Sequence, residues 1–301
     1  MQTKSRRILY ISLTLFFIAT LTAGTFLDLQ IAESVYIEYE TFSVFFTMLG
    51  VLLFNGSFVF LDGALMRKFL SKEMTVPKKI LASVICIYLA FSTSALGSAS
   101  ILNGLRTTFG SSIVAGLIIY GPLFIGGFIL NRNRYDRSDV IRIILILVII
   151  TVAFFFPWLV KALVLRPRYR VTLLGYEGIS FVPWYRSSGV TDDMVAALGL
   201  YGNDVYSFFS GHALQAVLNI IILPSFACVF GHSPRLEKAL LTTALILAPF
   251  IMASRMILGD HYLSDISVGA LVGIVLCLMY ERLADRFIIG PGRARQESEK
   301  T

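Results

Sequence analysis

Residues 140–160 read VIRIILILVIITVAFFFPWLV, an apolar run carrying a single charge, Arg142. A helix rises 1.5 Å per residue, so a run of this length matches the roughly 30 Å hydrocarbon core of a bilayer. The same criterion picks out eight stretches in all: about 8–26, 41–61, 80–100, 112–130, 140–160, 212–230, 239–258 and 262–280. The expected fold class is therefore all-α, a polytopic transmembrane helix bundle of about eight spans. Composition agrees, with 56% hydrophobic residues, 15% charged residues and a mean hydropathy of +0.76. Such a chain builds its core against lipid and neighbouring helices.

The first run follows Lys4-Ser5-Arg6-Arg7, and Thr22-Ala23-Gly24 offers the small residues of a signal-peptide cleavage site. At about nineteen residues the run is long enough to span, and it is read as a retained first helix. Cys86, Cys228 and Cys277 all lie inside apolar stretches with no CxxC or Cys/His ligand spacing, which supports neither a disulfide nor a zinc site. A net charge of +7 would suggest nucleic acid in a soluble protein. Here the basic residues sit between apolar runs, so topology explains them and no nucleic-acid partner is expected.

Loop charge sets the orientation. Lys4, Arg6 and Arg7, then Arg67, Lys68, Lys72, Lys78 and Lys79, then Arg132, Arg134 and Arg137, then Arg235 and Lys238, then Arg282, Arg286, Arg293 and Arg295 all fall on one side. The positive-inside rule makes that side cytoplasmic, with both termini in. The first outer loop carries Asp28, Glu33, Glu38 and Glu40, and the second has Arg106 as its one cation. The expected division is an N-terminal group of about four spans over 1–135, a core over 136–288 and a polar cytoplasmic tail over 289–301.

One outer segment, about 161–209, breaks the charge rule with Lys161, Arg166, Arg168, Arg170 and Arg186. Either these pair with Glu177, Asp192, Asp193, Asp204 or lipid headgroups, or they gather around an anion. Lys161 follows Trp158, a candidate interfacial anchor. It precedes Arg168 by seven residues, which places both cations on one face if the segment is helical, although Pro167 disfavours a regular helix beyond Arg166. Ser210-Gly211-His212 stands at the start of the sixth span, where Ser210 can cap the helix and unpaired N–H groups attract anions. At the seventh and eighth spans the chain reads Ser254-Arg255-Met256-Ile257-Leu258-Gly259-Asp260-His261-Tyr262-Leu263-Ser264-Asp265. A charged side chain at the centre of a bilayer costs roughly 2.5 to 3.5 kcal/mol, so charges beside an apolar span usually face a partner or cavity. Arg255 and His261 converge only if the chain turns near Gly259. His261 and Asp265 form an i,i+4 pair in which the carboxylate can fix the imidazole tautomer. Of the other histidines, His212 lies on the same outer face, whereas His232 reads as an ordinary cytoplasmic loop residue.

These residues resemble the type 2 phosphatidic acid phosphatase (PAP2) superfamily, whose motifs are K-x6-R-P, P-S-G-H and S-R-x5-H-x3-D. The third is matched by Ser254, Arg255, His261 and Asp265. The first is matched by Lys161 and Arg168, with Tyr169 in place of proline, and the second by Ser210, Gly211 and His212, with Phe209 in place of proline. The resemblance covers roughly 140–280. The family core has six spans with two before the first-motif helix, whereas four precede it here, which leaves an extra pair.

The resemblance implies a metal-independent, cofactor-free lipid phosphatase. His261 would attack phosphorus and form a phosphohistidine, Asp265 would support its imidazole, and His212 would be the general acid. Lys161, Arg168, Ser210, Gly211 and Arg255 would bind the phosphate. The substrate would be a membrane lipid reached from the bilayer: phosphatidic acid, phosphatidylglycerol phosphate or undecaprenyl diphosphate. The setting would be a bacterial cytoplasmic membrane with the site facing outward. Phosphotransfer to a lipid or sugar acceptor through the same histidine is a related reading, and a non-catalytic lipid transporter or binding protein is a rival one.

Overall fold

The computed structural model describes residues 3–38, 40–102, 109–131 and 135–289. Among the described residues all regular structure is helical. Arg106, Arg132, Arg134, Arg293 and Arg295, and the expected tail beyond residue 289, lie outside them. The long helices are α1 (Thr3–Val35), α2 (Thr41–Ser71), α3 (Val76–Leu102), α4 (Phe109–Leu130) and α5 (Arg137–Val164). After the short α6 (Tyr169–Thr172) and α7 (Asp192–Ala197) come α8 (Gly211–Ile222), α9 (Ala227–Phe230), α10 (Pro234–Ile257) and α11 (Leu263–Ala284).

Among the described residues, eight helical segments are long and apolar enough to cross a membrane, and each overlaps one of the eight expected stretches. The chain is an integral membrane protein of the all-α class. The sixth span is composite: a 3-10 turn at Pro224–Phe226 separates α8 from α9, because Pro224 cannot continue the backbone ladder. Helices α1 and α3 leave Ile11, Leu15, Phe16, Leu81, Val84 and Tyr88 exposed, the surface a helix presents to lipid.

The described chain falls into two compact units. One comprises Met1–Gly50, Val152–Leu218 and Ala244–Val275; the other comprises Val51–Thr151, Asn219–Thr243 and Leu276–Thr301. Within the second unit α2 and α4 cross at glycine. A Cβ on Gly63 would stand 2.2 Å from the Phe124 carbonyl oxygen, and one on Gly127 would stand 1.9 Å from that of Phe60. Backbones approach this closely only where side chains are missing, the usual means of packing helices that gain nothing from expelling water.

The same unit corrects two expectations. Lys68, expected as a cytoplasmic loop charge, is fully buried on α2 and pairs with Asp139 at 2.9 Å. His232, expected as an ordinary loop residue, places Nε2 2.8 Å from the other oxygen of Asp139. A buried carboxylate must be paired or neutralised, and Asp139 is met from two sides. Cys228 joins them, so that ligand atoms of Asp139, Cys228 and His232 lie within 4.8 Å of one another. That grouping was invisible in the spacing, and the Lys68 ammonium already supplies the positive charge a cation would bring.

Candidate active site

The first unit holds every residue singled out for chemistry. Helix α5 carries Lys161 in its last turn and ends at Val164. Leu165 then takes a left-handed backbone conformation (φ 48°), and the chain runs through Arg166, Pro167 and Arg168 without helix. The shared helical face proposed for Lys161 and Arg168 therefore does not exist. Lys161 still lies within electrostatic reach of Arg168, and of Arg255, Asp260 and Asp265.

Ser210 caps α8, its hydroxyl accepting from the Ala213 N–H at 3.3 Å. Its own N–H donates to the Asp265 carbonyl at 3.0 Å, which ties the start of α8 to α11. His212, in the first turn, is partly buried and lies within electrostatic reach of Arg255, His261 and Lys161.

The turn expected at Gly259 is present. Its φ of 65° suits a residue without Cβ, and a Cβ there would stand 2.8 Å from the Tyr36 ring and 3.1 Å from the Arg170 nitrogen. The N–H groups of Asp260 and His261 both donate to the Arg255 carbonyl, at 3.0 and 3.1 Å. The turn thus brings His261 back beside Arg255, which six residues of continuous helix would not do.

Asp265 is completely buried and fully occupied. One oxygen accepts from Arg166; the other accepts from the Ser207 hydroxyl and from the Tyr262 N–H at 2.9 Å. His261 Nδ1 faces that second oxygen at 3.7 Å, beyond hydrogen-bond length. Burial, aided by the charges of Lys161 and Arg168 and opposed by Asp265, holds the His261 imidazole down to about 3. It is neutral at physiological pH.

Several residues here escaped the sequence reading. Arg166 is 1% exposed and bridges two acids, giving Nη1 to Asp265 and Nη2 to Asp28 at 2.9 Å. Its guanidinium lies 4.2 Å from the centroid of the Tyr262 ring, which stacks a cation on an aromatic face. Asp28, expected in an outer loop, is buried on α1. One oxygen accepts from the Ser264 N–H at 2.9 Å; the other accepts from the Ser264 hydroxyl and Arg166. Trp184 Nε1 donates to Thr25 at 3.1 Å, one turn earlier on α1. Arg166 had been visible as one member of a basic cluster. Nothing in the spacing marked Asp28.

Around the motif cations the pairing is incomplete. Arg255 donates to Thr47 at 2.8 Å and to Asp260, and Arg168 donates to Asn203 at 2.7 Å and to Asp260. The Nε groups of both arginines, His212 Nε2 and His261 Nδ1 are buried without a hydrogen-bond partner. Native interiors rarely leave buried polar groups unpaired, and the two guanidinium N–H groups with His212 Nε2 mark where a polar ligand would complete the set. Two guanidinium groups and a neighbouring ammonium give that ligand a negative charge. Arg170 pairs with Asp204 at 2.8 Å, and Asp192 and Asp193 are exposed in the first turn of α7.

A family model described as PAP2 superfamily matches residues 140–288, a span that contains His212, Arg255, His261, Asp265 and every site cation named above. No curated protein and no solved structure matches the chain. The match supports a phosphatase-type activity on phosphate esters.

Proposed function

Because this chain belongs, over residues 140–288, to the PAP2 superfamily, we propose that it is a lipid phosphatase acting through a phosphohistidine at His261. The observation that carries the reading is the group of unpartnered buried nitrogens on Arg168, Arg255 and His212, beside Lys161 and His261.

With Nδ1 turned toward Asp265, the imidazole keeps its proton there and offers the Nε2 lone pair to phosphorus. The N–P bond forms as the P–O bond to the lipid breaks, and Asp265 stabilises the positive charge that develops on the ring. His212 gives its proton to the departing oxygen, a contribution of roughly 10²- to 10⁴-fold for such transfers. Water, losing its proton to His212, then attacks phosphorus, breaks the N–P bond and leaves inorganic phosphate. Lys161, Arg168, Arg255, the Ser210 hydroxyl and the Gly211 N–H hold the non-bridging oxygens, whose charge grows in the transition state. No step in this sequence calls for a metal ion.

Position supports a lipid substrate. The site residues lie at the ends of membrane-spanning helices, where an amphiphile can present its phosphate while its tail stays among lipids. Phosphatidic acid, phosphatidylglycerol phosphate and undecaprenyl diphosphate fit that description. The loop-charge pattern favours the extracytoplasmic side, with both termini cytoplasmic.

The test is phosphate release by the detergent-purified protein from those three lipids, with EDTA present. We expect release that persists in chelator and disappears in His261→Ala. Activity that requires added metal, or full activity in His261→Ala, would sink the mechanism. Phosphate that reaches an added lipid or sugar alcohol instead of water, still dependent on His261, would favour phosphotransfer.

A further inference from the structure

The residue just before the proposed nucleophile is an acid that no motif requires. One oxygen of Asp260 accepts from Arg168 and from Arg170 Nε at 3.0 Å; the other accepts from Arg255. Arg168 and Arg255 are the two guanidinium groups assigned above to the phosphate. Asp260 therefore occupies, with two carboxylate oxygens, part of the donor set a phosphoryl group would use. Burial alone would raise its pKa, but Arg168, Arg255 and Arg170 hold it well below the usual carboxylate range, so it stays charged.

Geometry separates it from Asp265. Asp265 is closed on all sides by Arg166, Ser207 and Tyr262, whereas the Asp260 side chain keeps 12% of its surface exposed and Arg170 keeps 36%. The clasp thus keeps an access to solvent that Asp265 lacks. Like charges sharing one cation set repel, so a bound phosphate and Asp260 weaken each other's hold.

We propose that Asp260 is a built-in stand-in for phosphate: it holds the Arg168–Arg170–Arg255 clasp together when the site is empty, and it competes with product so that inorganic phosphate leaves. This rests on the hydrolase reading above. Asp260 is a positioning residue in this scheme, touching the arginines that touch substrate. A mere strut would predict the opposite sign, because removing a strut loosens the arginines and weakens phosphate binding.

The experiment measures inorganic phosphate binding to the full chain in detergent, for the wild type and for Asp260→Asn, Asp260→Ser and Asp260→Glu. The expected result is that the two neutral variants bind phosphate about tenfold more tightly, or ~1.4 kcal/mol. Their KM for lipid and their product-inhibition constant fall together, and Asp260→Glu stays near wild type. Unchanged or weaker binding in the neutral variants overturns the inference while leaving the hydrolase intact. No phosphate binding in any form of the protein removes the hydrolase reading and this one with it. Should the neutral variants not fold, the wild type decides alone: its phosphate-induced infrared difference spectrum must contain a carboxylate band change, and a spectrum without one overturns the proposal.

Discussion

Replacing Asp28 by Asn tests whether α1, which precedes the region of family similarity, belongs to the catalytic apparatus. The substitution keeps size and one carbonyl oxygen. That oxygen can still accept from the Ser264 N–H, now at 2.9 Å. The second oxygen becomes an amide nitrogen, which faces two donors, Arg166 Nη2 at 2.9 Å and the Ser264 hydroxyl. Hydrogen bonds to a charged group contribute about 1.5 to 3 kcal/mol each, and breaking a buried ion pair costs roughly 3 to 5 kcal/mol. Arg166 retains Asp265, so the lower part of that range applies, about 3 kcal/mol. Two readings are needed: thermal unfolding in detergent, and kcat against KM for phosphate release. Arg166, freed on one side, shifts against Asp265 and so against His261; kcat should fall at least tenfold with KM changing less. An Asp28→Asn protein within about 0.5 kcal/mol of wild type, with normal kcat, would refute the reasoning and make the α1 contact incidental.

Two further outcomes are expected. A Cβ at Gly24 would stand 2.7 Å from the Ser264 nitrogen and 2.9 Å from Asp28 Oδ1, so Gly24→Ala should push α1 away and cost about 1 to 3 kcal/mol, measured by thermal unfolding; a neutral Gly24→Ala would contradict the packing. Acid should destabilise the fold through His261, which is neutral in the folded chain down to about 3 but takes a proton near 6.5 once unfolded. Between those values the unfolded state binds more protons, so stability is lost as pH falls, by ~1.4 kcal/mol per pH unit for one group. Asp260 adds to the loss below its ordinary 3.8, because its folded form keeps the charge that the unfolded form gives up. His261→Gln should flatten the profile below 6.5, and a wild-type profile already flat there would rule the assignment out.

The spans could be read from the chain because lipid imposes a length on every helix, and each expected stretch coincides with one. The convergence of Arg255 and His261 was conditional on Gly259, where a positive φ supplies the turn. What could not be read was pairing across distance. Asp28 looked like a loop acid because an apolar run ending near residue 26 hides a helix that continues to Val35. Spacing pointed to Arg168 and passed over Arg166, two residues away. With α5 ending at Val164, no helical register remained to say that Arg166 turns to Asp265 and Arg168 to Asp260. Lys68 and His232 were misplaced for a related reason: their partner Asp139 is 71 and 93 residues distant, and loop charge counts carry no information about partners.

The place of Arg166 between its two acids bears on how the protein is made. Asp28 precedes it by 138 residues and Asp265 follows it by 99. During synthesis, then, Arg166 is translated long before the helix bearing its second counter-ion. Asp28, already inserted with α1, is the anion waiting for it. The first helix thus offers that charge a counter-ion through the interval in which α8, α10 and α11 are still to come.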